Sequence, residues 1–121
     1  MKSELLREYK DPEQLPVLAA SDMYYGQYRN IDGTRMCFIG HLRKAYGIKQ
    51  GHGVFIPNFS KAMHRWRKHF VQAYMNVTGR SVYVQSFVHD INDTFCHSDQ
   101  ERADVWNEAV RLAGYTEIYE V

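Results

Sequence analysis

The sequence predicts a mainly α-helical protein: one compact, single-domain bundle of four to five helices over residues 1–121, with room for one short β-hairpin or strand. Three observations lead there. In Asn58–Gly79 the residues Met63, Trp66, Phe70, Ala73, Tyr74 and Val77 recur at steps of three and four, which places them on one stripe of a 3.6-residue helix. In Ser98-Asp99-Gln100-Glu101 a serine stands three residues before a glutamate, the arrangement that satisfies the first free amides of a helix. And 121 residues with 45% hydrophobic content suffice for one core, and not for two.

In chain order, Ser3–Lys10 reads as a short helix capped by Ser3. Asp11-Pro12-Glu13-Gln14 looks like a helix start, with Asp11 as cap and Pro12 at the first position; Pro16, which lacks a backbone donor, is the competing start. A helix over Val17–Tyr24 follows. Tyr24, Tyr25 and Tyr28 cluster around Gly26; at least one is expected to pack inward, and the others offer a rigid contact surface with a polar tip.

Asp32-Gly33 marks a turn, and Thr34 is placed to cap a helix from Arg35 to Tyr46 that Gly47 stops. Phe38, Leu42 and Ala45 make its buried stripe. Gly47–Phe59 is a glycine-rich connector whose Val54-Phe55-Ile56 run suits a short strand. Asn58 or Ser60 caps the central helix and Gly79 ends it. Over Ser81–Phe95 the residues Val84, Phe87, Val88, Ile91 and Phe95 fit a helical stripe better than the alternating valines fit a strand. The last helix carries Ala103, Trp106, Ala109, Val110 and Ala113 to Gly114; Thr116–Val121 is a short strand or a tail.

The net charge of +1 conceals segregation. Four basic side chains meet six acidic ones in the first 32 residues, Gly33–His89 holds nine basic side chains and no acidic one, and from Asp90 onward eight acidic side chains meet two basic ones. Either the acidic ends fold onto the basic middle, or the basic surface stays open to an anionic partner. The central helix concentrates the second possibility: Lys61, Arg65, Lys68 and Gln72 form one row, with His64, Arg67 and His69 on its flanks. No run of about eighteen apolar residues and no apolar segment after MKSELLREYKDPEQ is present, so neither a membrane span nor a secretory signal is expected and the chain reads as cytoplasmic. No nucleotide-binding motif occurs, so no cofactor is expected.

Two chemical alternatives rest on Cys37. In a helix from Arg35 it lies in the first turn, where free amides favour a thiolate, with His41 one turn along. The stretch DGTRMCFIGHLRKAYGI followed by GHGVFIP is loosely similar to papain-like cell-wall peptidases and amidases, which implies Cys37 as nucleophile and His52 as base. That family builds several strands between the two, and here only fourteen residues separate them, which favours Cys37 as a small core residue. Cys37 and His41 also share a ligand face for a metal, and His89, Asp90, Asp93, Cys96 and His97 crowd into nine residues, which read more simply as a polar loop.

Tyr24-Tyr25-Gly26, then DG-x-x-x-C-x-x-G-x-L-x-x-A-x-G from Asp32 to Gly47, then Ile91-Asn92-Asp93 before an alanine-rich helix, resembles a family of small uncharacterised bacterial and phage proteins; Ile91 stands where that family prefers tryptophan. The resemblance implies a compact helical fold and a phage origin, with Cys37, Gly40 and Ala45 as packing positions, and no mechanism. The expected function is therefore a small non-enzymatic interaction protein, such as a phage-encoded inhibitor of a host or defence machine, which meets an acidic host protein through Lys61, His64, Arg65, Arg67 and Lys68 with Tyr25 and Tyr28. Nucleic acid is the alternative partner for the basic segment 33–89, although a near-neutral chain with an acidic tail repels phosphates.

Overall fold

The structure is a computed structural model that describes residues 11–25, 33–47, 57–83 and 86–115, with the backbone alone at 57–60. The expectations for Ser3–Lys10, Tyr28, His52, Val54–Ile56 and Thr116–Val121 lie outside the described residues. Those described form a small helical bundle: α1 (Phe38–Ala45), α2 (Pro57–Thr78), α3 (Val88–Asp90, continuing as a π-helical turn Ile91–Phe95) and α4 (Asp99–Leu112). No strand occurs among the described residues, only one isolated parallel bridge between Met23 and Met36.

The long helix forms as its periodicity predicts, but it already includes Pro57, so Asn58 and Ser60 lie inside its first turn and neither is the cap. Trp66, Phe70, Ala73 and Tyr74 are buried and Met63 is partly so, while Val77, near the C-terminal end, is 36% exposed. Ala62 and Val71 join the buried face. Gly79 ends the helix at φ +71°, a conformation that costs an L side chain its Cβ clearance, and its N–H donates to Met75 O at 2.9 Å.

Against α2 lies α4, the most extensive helix pairing in the fold. Ser98 Oγ accepts from Glu101 N at 3.1 Å, as the motif predicts, but Glu101 reaches back to His97 N, also at 3.1 Å, one residue before the cap. The far end closes with Gly114 N donating to Arg111 O and Tyr115 N to Val110 O, the paired bonds of a Schellman motif. Rings fill the space between helices: Phe38 of α1 stacks on Phe70 of α2 with centroids 4.6 Å apart, and Trp106 of α4 lies 6.0 Å from Phe70 and 6.5 Å from Phe38.

Other stretches differ more from expectation. Val17–Tyr24 is not a helix; only a 3-10 turn at Ala20–Asp22 interrupts an extended segment, and neither Asp11 nor Pro16 starts one. The reason is tertiary. Asn107 on α4 accepts from Leu18 N and donates to Leu18 O at 3.0 and 2.9 Å, and Trp106 Nε1 donates to Pro16 O at 2.8 Å, so side chains of α4 satisfy a backbone that would otherwise seek its own helix.

The helix expected from Arg35 begins at Phe38. Met36 is held extended because its N–H donates to Asp22 O and its O accepts from Tyr24 N, each at 3.0 Å, so Cys37 and not Thr34 takes the N-cap position of α1.

Finally, Ser81–Phe95 is helical only from Val88 among its described residues; a turn at Ser86 (N–H to Tyr83 O, 2.9 Å) precedes it. The His89–His97 cluster, whose residue types suggest a polar loop, is helical as far as Phe95, as the stripe over Ser81–Phe95 predicts for its last part. Its π turn, with Cys96 N donating to Ile91 O, buries Asn92 completely, and Asn92 ties Phe38 N, Tyr24 O and Arg102 Nε together. Periodicity cannot announce a π turn, which shifts the register by one residue.

Candidate binding face on the central helix

The outer side of α2 is built by the same periodicity that buries its inner side. Lys61, Arg65 and Lys68 recur at four and three residues, so they share one row about 10 Å long, and His64 lies beside it. Lys61, His64, Arg65 and Lys68 are exposed and line one shallow surface groove. Within α2 no acidic side chain is present to offset them.

One carboxylate reaches this face from elsewhere in the chain. Arg65 Nη2 donates to Asp11 Oδ1 at 2.8 Å, and the same oxygen accepts from Tyr46 OH at 2.7 Å, whose oxygen in turn accepts from Trp66 Nε1 at 2.9 Å. Burial, then the Asp11 bond, pushes the Tyr46 hydroxyl far above its ordinary range, so it stays a donor. These residues, with His69 and Tyr115, wall a cavity of about 80 Å³. His69 is half-buried, edge-on to Trp66 at 5.6 Å, and burial followed by the nearby Arg65 holds its pKa below the ordinary value.

The acidic ends do fold onto part of the basic middle. Asp99 at the start of α4 pairs with Arg35 at 2.6 Å and with Arg102 at 2.9 Å, and Glu101 pairs with Arg80. Anions at a helix N-terminus are also favoured by its dipole. Lys61, His64 and Lys68 take no part in this; among the described residues they make no ion pair. Arg67 is half-buried on the rim of the helix, with its guanidinium carbon 5.8 Å from the centre of the Phe87 ring. Nothing local marks the Asp11 contact, because 54 positions separate it from Arg65. Phe87, expected in a buried stripe, is instead 57% exposed.

The tyrosines divide. Tyr24 is half-buried, whereas Tyr25 is 61% exposed with Arg102 5.4 Å from its ring centre, away from the α2 row in sequence and held by α4.

Cys37 does not have the surroundings of a nucleophile. It is 4% exposed, and burial raises its pKa despite the Gly40 and Ile39 amides, which pull the other way. His41 is occupied: its Nε2 lies 2.8 Å from Asp22 O, and burial lowers its pKa below the ordinary value. Cys96 is buried too, its thiol pushed up to about 12 by desolvation and then by Glu101. Both cysteines are free thiols. Among the described residues no three His, Cys, Asp or Glu side chains converge in a way that could hold a metal ion, so Cys37 and His41 lack the further ligands a site needs. Nor is any helix among them long and apolar enough to cross a membrane.

Compared with known proteins, the chain matches no protein-family model, no curated protein and no solved structure.

Proposed function

We propose that this chain is a small non-enzymatic interaction protein that presents the basic face of α2, formed by Lys61, His64, Arg65, Arg67 and Lys68, to an acidic surface of a partner protein. The observation that carries this reading is the contrast between two sets of cations. Arg35, Arg80 and Arg102 are neutralised by the start of α4, whereas Lys61, His64 and Lys68 stand exposed and, among the described residues, without an ion pair, on a helix with no acid of its own. Arg65 already takes the Asp11 carboxylate at 2.8 Å, so the row has the reach and spacing to accept protein carboxylates. Such a row steers encounter and sets specificity more than it supplies raw affinity. A phage-encoded inhibitor of a host machine is the specific form of this proposal, and it draws on the family resemblance alone.

The test is affinity capture from host lysate with the tagged protein, with and without nuclease, comparing the wild type with Lys61→Glu/Lys68→Glu. Both positions are exposed, so the variant should melt like the wild type. The expected result is an acidic protein that survives nuclease, is released by salt and is absent from the variant. Capture of nuclease-sensitive nucleic acid, or an identical catch with the variant, would refute the reading.

A further inference from the structure

We propose that Arg67 and Phe87 form the anchor at which this face takes an acidic peptide segment, one partner carboxylate meeting the exposed part of the Arg67 guanidinium and a neighbouring apolar side chain covering Phe87; the proposal rests on the reading of α2 given above. Arg67 differs from every other arginine on α2 or α4. Its Nε is sealed from solvent yet has no hydrogen-bond partner, and among the described residues it faces no carboxylate at all, only the Phe87 ring at 5.8 Å. A buried guanidinium nitrogen left without a partner among the described residues is uncommon in a folded chain, where buried polar groups are nearly always paired. Its fork matches a carboxylate with two parallel bonds, which a lysine cannot supply.

Beside it stands an aromatic surface without a cover among the described residues. Phe87 is 57% exposed, and its ring stacks on the His89 imidazole at 5.7 Å with 5° between planes. The acid nearest this stack, Asp90, is already engaged: it accepts from Phe87 N at 3.3 Å and lies 3.4 Å from His89 Nε2. Phe87 is therefore fixed as the N-cap of α3 while its ring faces outward. A half-buried arginine beside an exposed aromatic is the composition of an interface hot spot, and the exposed His64, one turn before it, and Lys68, the next residue along α2, give the polar rim around it. A peptide fits better than nucleic acid because the chain as a whole is close to neutral and its stretch from Asp90 onward, with eight acidic side chains against two basic ones, repels phosphates.

Fluorescence anisotropy can test the anchor with two labelled peptides of equal length and charge, one of Glu and Gly and one of Glu with a central Phe, together with an oligo-dT strand. The Phe-containing peptide should bind the wild type about tenfold more tightly. Phe87→Ala and Arg67→Gln should each remove that preference, while Lys61→Glu/Lys68→Glu weakens both peptides. Equal binding of the two peptides, unchanged in Phe87→Ala, overturns the anchor and leaves the α2 reading standing. Failure of both peptides to bind, or indifference to Lys61→Glu/Lys68→Glu, overturns both. Tighter binding of oligo-dT that Phe87→Ala weakens replaces the peptide with nucleic acid and also overturns both.

Discussion

At Cys37 two opposing effects act on one sulfur. The amides of Ile39 and Gly40 at the start of α1 favour the thiolate, but burial disfavours it more strongly, and the net shift is upward. Cys96 lies further in the same direction. Neither thiol should react with a disulfide reagent at neutral pH until the protein unfolds, so labelling should follow the denaturation curve; rapid modification of Cys37 in the native protein would reopen the enzyme reading. His41 has a similar conflict with a measurable consequence. Burial first, opposed by the bond to Asp22 O, lowers its folded pKa, whereas in the unfolded chain it titrates near about 6.5. Above that pH both states are neutral and the residue adds no pH dependence. As pH falls below it the unfolded chain binds the proton more readily, so stability declines. Chemical denaturation across pH 5 to 7.5 should show this decline, partly flattened in His41→Gln; His69, shifted the same way by burial and Arg65, accounts for a remainder.

The element that departs most from its local signals is the extended segment before α1. Proline-led capping residues at Asp11–Gln14 point to a helix, yet one side chain, Asn107, offers Leu18 both an acceptor and a donor and holds the backbone extended across α4. Asn107→Ala would strand both groups in a part-buried place and should cost about 2 kcal/mol, read as a lower midpoint in urea. An unchanged midpoint would mean that water replaces the amide. By contrast α2 and α4 carry their own instructions: a long apolar stripe, a serine cap and glycine stops, each legible without any neighbour. Phe87 shows the limit of that legibility, since it matches the helical period but falls at the N-cap of α3, where the ring turns outward.

Across the whole molecule, the segregated charge resolves into two uses. The start of α4 gathers Arg35, Arg80 and Arg102 around Asp99 and Glu101 and so fastens the segment before α1, the segment after α2 and the π turn to one helix end. Burial raises the Glu101 pKa, but the His97 N–H and Arg80 outweigh it and leave the folded value below the ordinary one. Its contribution is therefore present above the unfolded value, near about 4.3, and is lost as pH falls through the folded one. Acid unfolding should be shallower below about pH 4.3 in Glu101→Gln than in the wild type; parallel curves would show that Arg80 and His97 find other partners. The second use is the row Lys61, His64 and Lys68, which this network leaves exposed.

By itself the sequence determined the helical class, the span and inward face of α2, the cap of α4, and the cationic row on the outer face, because each follows from spacing within a few turns of one helix. Tertiary structure alone decided which cations are neutralised, that Cys37 and His41 are buried and occupied, that the segment before α1 stays extended, and that Phe87 and Arg67 meet at the surface. Those outcomes depend on groups many residues apart that compete for the same hydrogen bonds and the same buried space, and that competition is settled only when the helices pack.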